Sequence, residues 1–387
     1  MTITALKLAA TFAVPGTDDV DAYTKRALAM LELRPSVDPS TLLSSPIGDW
    51  LIAAVCMLVS RAIGVPFIVV LKWPAVLADL GVAAVLLRVP TVGTVAALAY
   101  IVNPFTAVVS VYHGQLHTVA VLGATIATVL LTEGRTRASA VVLALAVTVR
   151  QAMAPLAAPF YLRAGRVRAA ALVLFVVLAI ALNAPLATRH AEKPKLYQTT
   201  QVPYGAWGYA SILLQGPRVL ALAGIAAPAR WLAPINRFIE RYGAGLPILW
   251  VAAFALWSWR HRDADLWRAA VLLFMGVYVT SPGMGMQYLT WVMPFLAAAD
   301  RRRAVIFGGL AGGLAVGTYV VTTFPAKYKV PSFTANLGLL SGPDLALVLV
   351  VGAIGVATWL FCASMVWRVV KQPSAVMSGA VVRVSPR

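Results

Sequence analysis

The chain has 387 residues, 60% of them hydrophobic and 12% charged, with a mean hydropathy of +0.82. An average soluble domain carries about 25% charged residues, so a water-soluble enzyme is set aside at once. The net charge of +18, from 32 Lys and Arg against 14 Asp and Glu, is what positive cytoplasmic loops produce, and nucleic acid is not expected as a partner.

At a helix-plus-loop unit of roughly 30 residues, the length accommodates about ten to twelve bilayer spans. The expectation is an all-α, polytopic transmembrane helical bundle of that size, with external re-entrant or surface helices. The first 14 residues are apolar but too short to span, and they carry no cleavage site; they read as half a helix, or as the remnant of a longer one. A polar helix is expected over Val20–Leu33, capped by Thr17 or Asp18. Spans follow at roughly Ile47–Ser60, Pro66–Leu87, Val92–Tyr112, Leu116–Thr132, Val167–Ala187, Leu246–Trp259, Ala269–Thr280, Leu289–Ala299 and Ala304–Val321. The clearest, Leu345–Trp367, is bracketed by Asp344 and Arg368. Ala138–Leu162 is broken in its middle by Arg150-Gln151 and Pro155. Interrupted helices are tolerated in a bilayer only where protein or a polar cavity satisfies the freed backbone, so this break points to a site within the bundle.

Arginine clusters beside the spans set the expected orientation. Arg135 and Arg137, Arg163 to Arg168, Arg260 and Arg262, Arg301 to Arg303, and Arg368 with Lys371 read as cytoplasmic. Residues 188–245, the Ser281-Pro282-Gly283 turn and residues 324–343 then face outward, with Arg230–Arg241 as a surface helix. Residues 1–371 read as one membrane domain with long external loops at 15–46 and 188–245, and residues 372–387 as a disordered cytoplasmic tail. The expected location is the plasma membrane, multi-pass, with the active site on the external face. Cys56 and Cys362 lie in apolar runs without CxxC or Cys/His spacing, so neither a disulfide framework nor a zinc site is indicated.

With so few carboxylates, each can be placed. If acid–base chemistry occurs outside, the base has to be Asp18, Asp19 or Glu192. Asp18 follows Thr17 and is the better helix cap. Asp19 precedes Tyr23 by four positions, one helical turn, and is the preferred base. A second constellation, Asn103-Pro104 with Tyr112-His113-Gly114-Gln115-Leu116-His117, puts two imidazoles and an amide at the outer ends of apolar helices, where they need polar partners. His113 and His117 stand i, i+4, but no acid nearby in sequence completes a metal set, and no metal or other cofactor is expected. Arg150, with Gln151, either holds a phosphate bidentately or forms a structural pair with Asp79. Lys193 and Lys195 head a basic, then aromatic, external loop suited to a diphosphate or anionic lipid. Gln287 and Tyr288 re-enter from the Ser281-Pro282 turn toward the same space.

In their order along the chain, Asp18-Asp19…Tyr23, Asn103-Pro104…Gly114-Gln115, Arg150-Gln151, Trp207-Gly208 and Ser281-Pro282…Tyr288 resemble the GT-C superfamily of integral-membrane glycosyltransferases, most closely its bacterial mannosyltransferase-like members. The resemblance runs from about Pro15 to Asp300, and no single motif in it is specific. It implies a polyprenyl-phosphate sugar donor, an external-loop acid as base and inversion at the anomeric carbon. Two features depart from the family: His117 stands where many relatives have an acid, and the first transmembrane helix is largely absent.

The expected function is therefore transfer of a sugar, mannose in the first instance, from a polyprenyl phosphate to a hydroxyl of a glycolipid or cell-envelope glycan, among membrane lipids. Asp19 or Asp18 would be the base, and Arg150, Gln151, His113, Gln115, Lys193, Lys195, Gln287 and Tyr288 would bind donor phosphate and substrate. A transporter or a lipid or glycolipid flippase is the alternative, and a structural or assembly protein a third. The gathering of Asp18, Asp19, His113, Gln115, Glu192 and Gln287 toward one face favours the enzyme.

Overall fold

The computed structural model describes residues 2–14, 16, 19–32, 46–90, 92–162, 166–187, 207–213, 229–243, 245–323 and 343–371. In chain order these form α1 (Thr2–Ala13), α2 (Asp19–Glu32), α3 (Ile47–Ile63), α4 (Phe67–Arg88), α5 (Gly93–Ile101), α6 (Pro104–Ala107) with a π-helical turn Val108–His113, α7 (His117–Thr132) and α8 (Thr136–Val149). A 3-10 turn, Gln151–Leu156, leads to α9 (Ala157–Tyr161), α10 (Arg166–Ala187), α11 (Ala229–Tyr242), α12 (Gly245–Arg260) and α13 (Leu266–Thr280). A second 3-10 turn, Met286–Val292, leads to α14 (Met293–Ala299), α15 (Arg301–Thr323) and α16 (Pro343–Lys371). No strand occurs among the described residues; an isolated antiparallel bridge pairs Trp207 with Met284.

Four of these helices, α4, α10, α15 and α16, are long and apolar enough to cross a membrane, and a fifth span results if α5 and the segment Pro104–His113 are taken together. The architecture is that expected of a multi-pass membrane protein. Its outer surface carries Val173, Val177, Ile180, Leu249, Val350 and Leu360 exposed, side chains that suit hydrocarbon rather than water. Inside, small residues let backbones approach. Ala120, Ala124 and Ala127 of α7 and Ala140 and Ala144 of α8 are fully buried where these two helices pack, and a Cβ on Gly123 would sit 2.9 Å from that of Ala146. With apolar lipid outside, such close packing and hydrogen bonds between helices replace the hydrophobic effect as the cohesive force.

Two helices break, one where the sequence reading expects a continuous span and one where it expects a break. The expected continuous span Val92–Tyr112 is instead bent by 48° between α5 and α6. The cause is local: Pro104 opens α6 without a backbone N–H, and Asn103 caps it, its Oδ1 accepting from the Phe105 amide at 2.9 Å. The π-turn beyond ends at Gly114, whose φ of +69° is open to glycine at little cost. The expected break near Arg150 is present: α8 stops at Val149, Arg150 is extended, and a tighter turn continues to Leu156.

Asp79 is fully buried in α4, and its partner is Lys7 rather than Arg150. Lys7 Nζ lies 2.8 Å from Asp79 Oδ2, and the Tyr100 hydroxyl donates to the other carboxylate oxygen at 2.9 Å. Thr106 Oγ1, 3.3 Å from Lys7 Nζ, completes the cluster. At 12 residues α1 measures about 18 Å, too short to cross a core of about 30 Å, and this pair ties it to the bundle.

Candidate functional site

The site is built where the start of α2 meets the π-turn. Asp19 begins α2, and its Oδ2 accepts from Gln115 Nε2 at 2.6 Å. His113 Nε2 lies 3.1 Å from the same oxygen. On the other side of the His113 ring, Nδ1 is 2.7 Å from the Tyr319 hydroxyl of α15. With Nε2 facing a carboxylate, a ring proton belongs on Nε2, and Nδ1 is left to the Tyr319 hydroxyl. The result is a line of three groups, Tyr319, His113 and Asp19, ending in a carboxylate whose side chain is 44% exposed. Burial alone would raise the Asp19 pKa; the contacts from His113 and Gln115, with the nearby Arg26 guanidinium, outweigh it and hold the carboxyl below its ordinary value. Asp19 is thus an ionised group, fixed from behind and open in front.

A second cluster lies four residues further along both segments, from Asp19 to Tyr23 and from His113 to His117. Tyr23 shares a face of α2 with Asp19, and its buried hydroxyl accepts from Arg150 Nη2 at 2.7 Å. Burial, with Asp49 nearby, pushes that hydroxyl up to about 12, so it stays neutral. The Arg150 guanidinium also donates to Asp49 Oδ2 through Nη1 and, at 3.0 Å, through Nε to His117 Nδ1. Trp291 Nε1 donates to that same His117 nitrogen at 3.2 Å. Tyr288 stacks on Trp291 with centroids 4.7 Å apart and meets the His117 ring edge-on at 5.0 Å.

Of the residues singled out from sequence, Asp19, His113 and Gln115 meet in one cluster, and Arg150 and Tyr288 in the next. Gln151 is exposed at the start of its turn, and Gln287 lies back against Gly285. Asp18, Glu192, Lys193 and Lys195 fall outside the described residues. Sequence reasoning missed Asp49 as the partner of Arg150, and also Tyr319, Trp291, Arg26 and Lys72. Lys72 is buried in α4, donates through Nζ to the Val14 carbonyl at 2.6 Å, and lies against both Gly16 and Gly114. It thereby supports the two loops that carry Asp19 and Gln115. A charge in an otherwise apolar span was the signal that could have found it.

The Trp207–Met284 bridge fastens residues 207–213 to the turn before Tyr288, through amide-to-carbonyl bonds of 2.9 and 2.8 Å. Among the described residues no three His, Cys, Asp or Glu side chains are grouped as metal ligands. Comparisons of the chain with protein-family models, with curated proteins and with solved structures find no match.

Proposed function

We propose that this chain is a membrane glycosyltransferase of GT-C type, which moves a sugar, mannose in the first instance, from a polyprenyl phosphate to a hydroxyl of a glycolipid or envelope glycan at the external face of the plasma membrane. The observation that carries the reading is the Asp19 carboxylate, ionised, half-exposed and fixed by Gln115 and His113 at a helix start. In this reaction the acceptor oxygen attacks the anomeric carbon, its proton passes to Asp19, and the bond from that carbon to the phosphate oxygen breaks, releasing polyprenyl phosphate. The donor arrives activated and lipid-borne, so the chemistry asks of the protein only a base, an acceptor pocket and groups that steady the departing phosphate.

The rival reading, a transporter or flippase, would draw on the buried Lys7–Asp79–Tyr100 cluster. There each charge already has its opposite, which favours a structural tie. The deciding experiment incubates the purified chain with radiolabelled polyprenyl-phosphate-mannose and a crude lipid extract. Labelled glycolipid formed by the wild type and not by Asp19→Asn supports the enzyme. No transfer, with facilitated movement of the donor across reconstituted vesicles, supports the rival.

A further inference from the structure

His117 opens α7 four residues beyond His113, and it is 1% exposed. Its Nδ1 receives two N–H donors, Arg150 Nε and Trp291 Nε1. Neither group can act as an acceptor, since a guanidinium and an indole N–H only donate. Nδ1 therefore carries no proton, and the neutral ring bears its proton on Nε2. That tautomer is imposed from two separate elements, the break after α8 and the turn before α14. Yet Nε2 is buried and has no hydrogen-bond partner. A buried donor left without an acceptor is destabilising, and here the surrounding structure works to keep it a donor. Such a group is prepared for an acceptor that arrives with a ligand.

The local charges indicate what kind of acceptor. Arg26 sits on the same helix as Asp19 and Tyr23, 8% exposed, its guanidinium 5.1 Å from the Tyr23 ring centre, and its Nε is likewise without a partner. Arg26 thus brings an unsatisfied N–H donor and a positive charge to the ring of Tyr23, whose hydroxyl Arg150 holds. The Arg150 charge is itself taken up by Asp49. A phosphate oxyanion has the lone pairs to satisfy a buried N–H and the charge to suit a site that carries the Arg26 guanidinium.

We infer that His117 Nε2–H is a donor for the phosphate monoester of a lipid ligand. This rests on the reading of the site as one that takes a polyprenyl phosphate. Arg150 then acts as a positioning residue: it fixes the His117 tautomer rather than gripping the phosphate.

Two substitutions separate this role from a structural one. Asparagine at position 117 supplies an acceptor near the place of Nδ1 but no donor at Nε2; glutamine reaches the place of Nε2 but abandons Arg150 and Trp291. The full-length chain in detergent is titrated with farnesyl phosphate, farnesol and inorganic phosphate, with binding read from tryptophan fluorescence, to which Trp291 contributes beside the ring. His117→Asn should melt close to the wild type yet bind farnesyl phosphate at least tenfold more weakly. His117→Gln should melt lower yet bind within about threefold of the wild type. Farnesol should bind far more weakly than farnesyl phosphate. Undiminished binding by a folded His117→Asn, or farnesol binding as tightly as its phosphate, would overturn the inference, and inorganic phosphate binding as tightly would overturn its assignment to a lipid. Binding is read without turnover. A chain that holds farnesyl phosphate through His117 but transfers no sugar leaves this inference standing and removes the proposed reaction; an active transferase whose His117→Asn form binds normally removes only this inference.

Discussion

Gln115 Nε2 stands 2.6 Å from Asp19 Oδ2, across 96 positions of sequence. Two loops supply the pair, and each contains a glycine with positive φ, Gly16 at +88° and Gly114 at +69°, leaning on the stem of Lys72. One buried lysine therefore sets the height of both loops, and the carboxylate is held where a mobile loop acid would not be.

Asp19→Asn keeps the shape and the Gln115 neighbour but cannot take a proton. It should preserve expression and donor binding and lower turnover by about 10²–10⁴-fold, the usual contribution of a positioned base. Full activity in this variant removes Asp19 from the chemistry.

The Gln115 amide is one of the groups that keep Asp19 below its ordinary pKa of 3.8. In Gln115→Leu that pKa should rise, and the acid limb of kcat/KM should move to higher pH. The stability linked to Asp19 has the corresponding sign: it is present above the unfolded pKa and is lost as pH falls through the lower folded value. Rate profiles of the two proteins between pH 3 and 7 (an assay range chosen to bracket about 4, the ordinary carboxylate value) check this, and an unmoved or lowered limb contradicts it.

Asp49 is fully buried and Arg150 nearly so. Removing either partner leaves an uncompensated charge, at a cost of about 3–5 kcal/mol. Arg150→Met or Asp49→Leu alone should melt far below the wild type in detergent, and the double variant should recover part of the loss. Asp79→Leu should give Arg150→Met no such recovery, because Asp79 belongs to Lys7.

Gly208 lies so near the re-entry turn that a Cβ would fall 2.6 Å from the Pro282 carbonyl oxygen and 2.7 Å from that of Ser281. Both are backbone atoms and cannot rotate aside. Gly208→Ala should cost about 1–3 kcal/mol and part the Trp207–Met284 bridge, seen as faster proteolysis near residue 207.

The helical class was legible because hydropathy needs no tertiary knowledge, and so were the ends of most helices. The break at Arg150 was legible for the same reason: a charge followed by Pro155 in an apolar run cannot continue a lipid-facing helix. The 48° bend at Asn103 was not anticipated, although the Asn-Pro pair that causes it was noticed for other reasons. In the site, the i, i+4 spacing of Asp19 with Tyr23 and of His113 with His117 was visible. What no local pattern could supply was the choice of partner over long separations. Arg150 had two buried acids available to it, and only the packing of α3 beside the end of α8 selects Asp49. Tyr319 was invisible for the same reason, being one tyrosine in an apolar helix until the fold brings it to His113.

That last contact spans 206 positions, and it bears on how the protein is made. A ribosome adds about 5–20 residues per second, so about 10–40 s pass between the synthesis of His113 and that of Tyr319. Throughout that interval Asp19, His113 and Gln115 already exist in the growing chain, while the hydroxyl that anchors the imidazole does not. The centre is therefore finished only when α15 inserts, late in translation, and a chain cut short before α15 would carry the carboxylate with its imidazole unanchored.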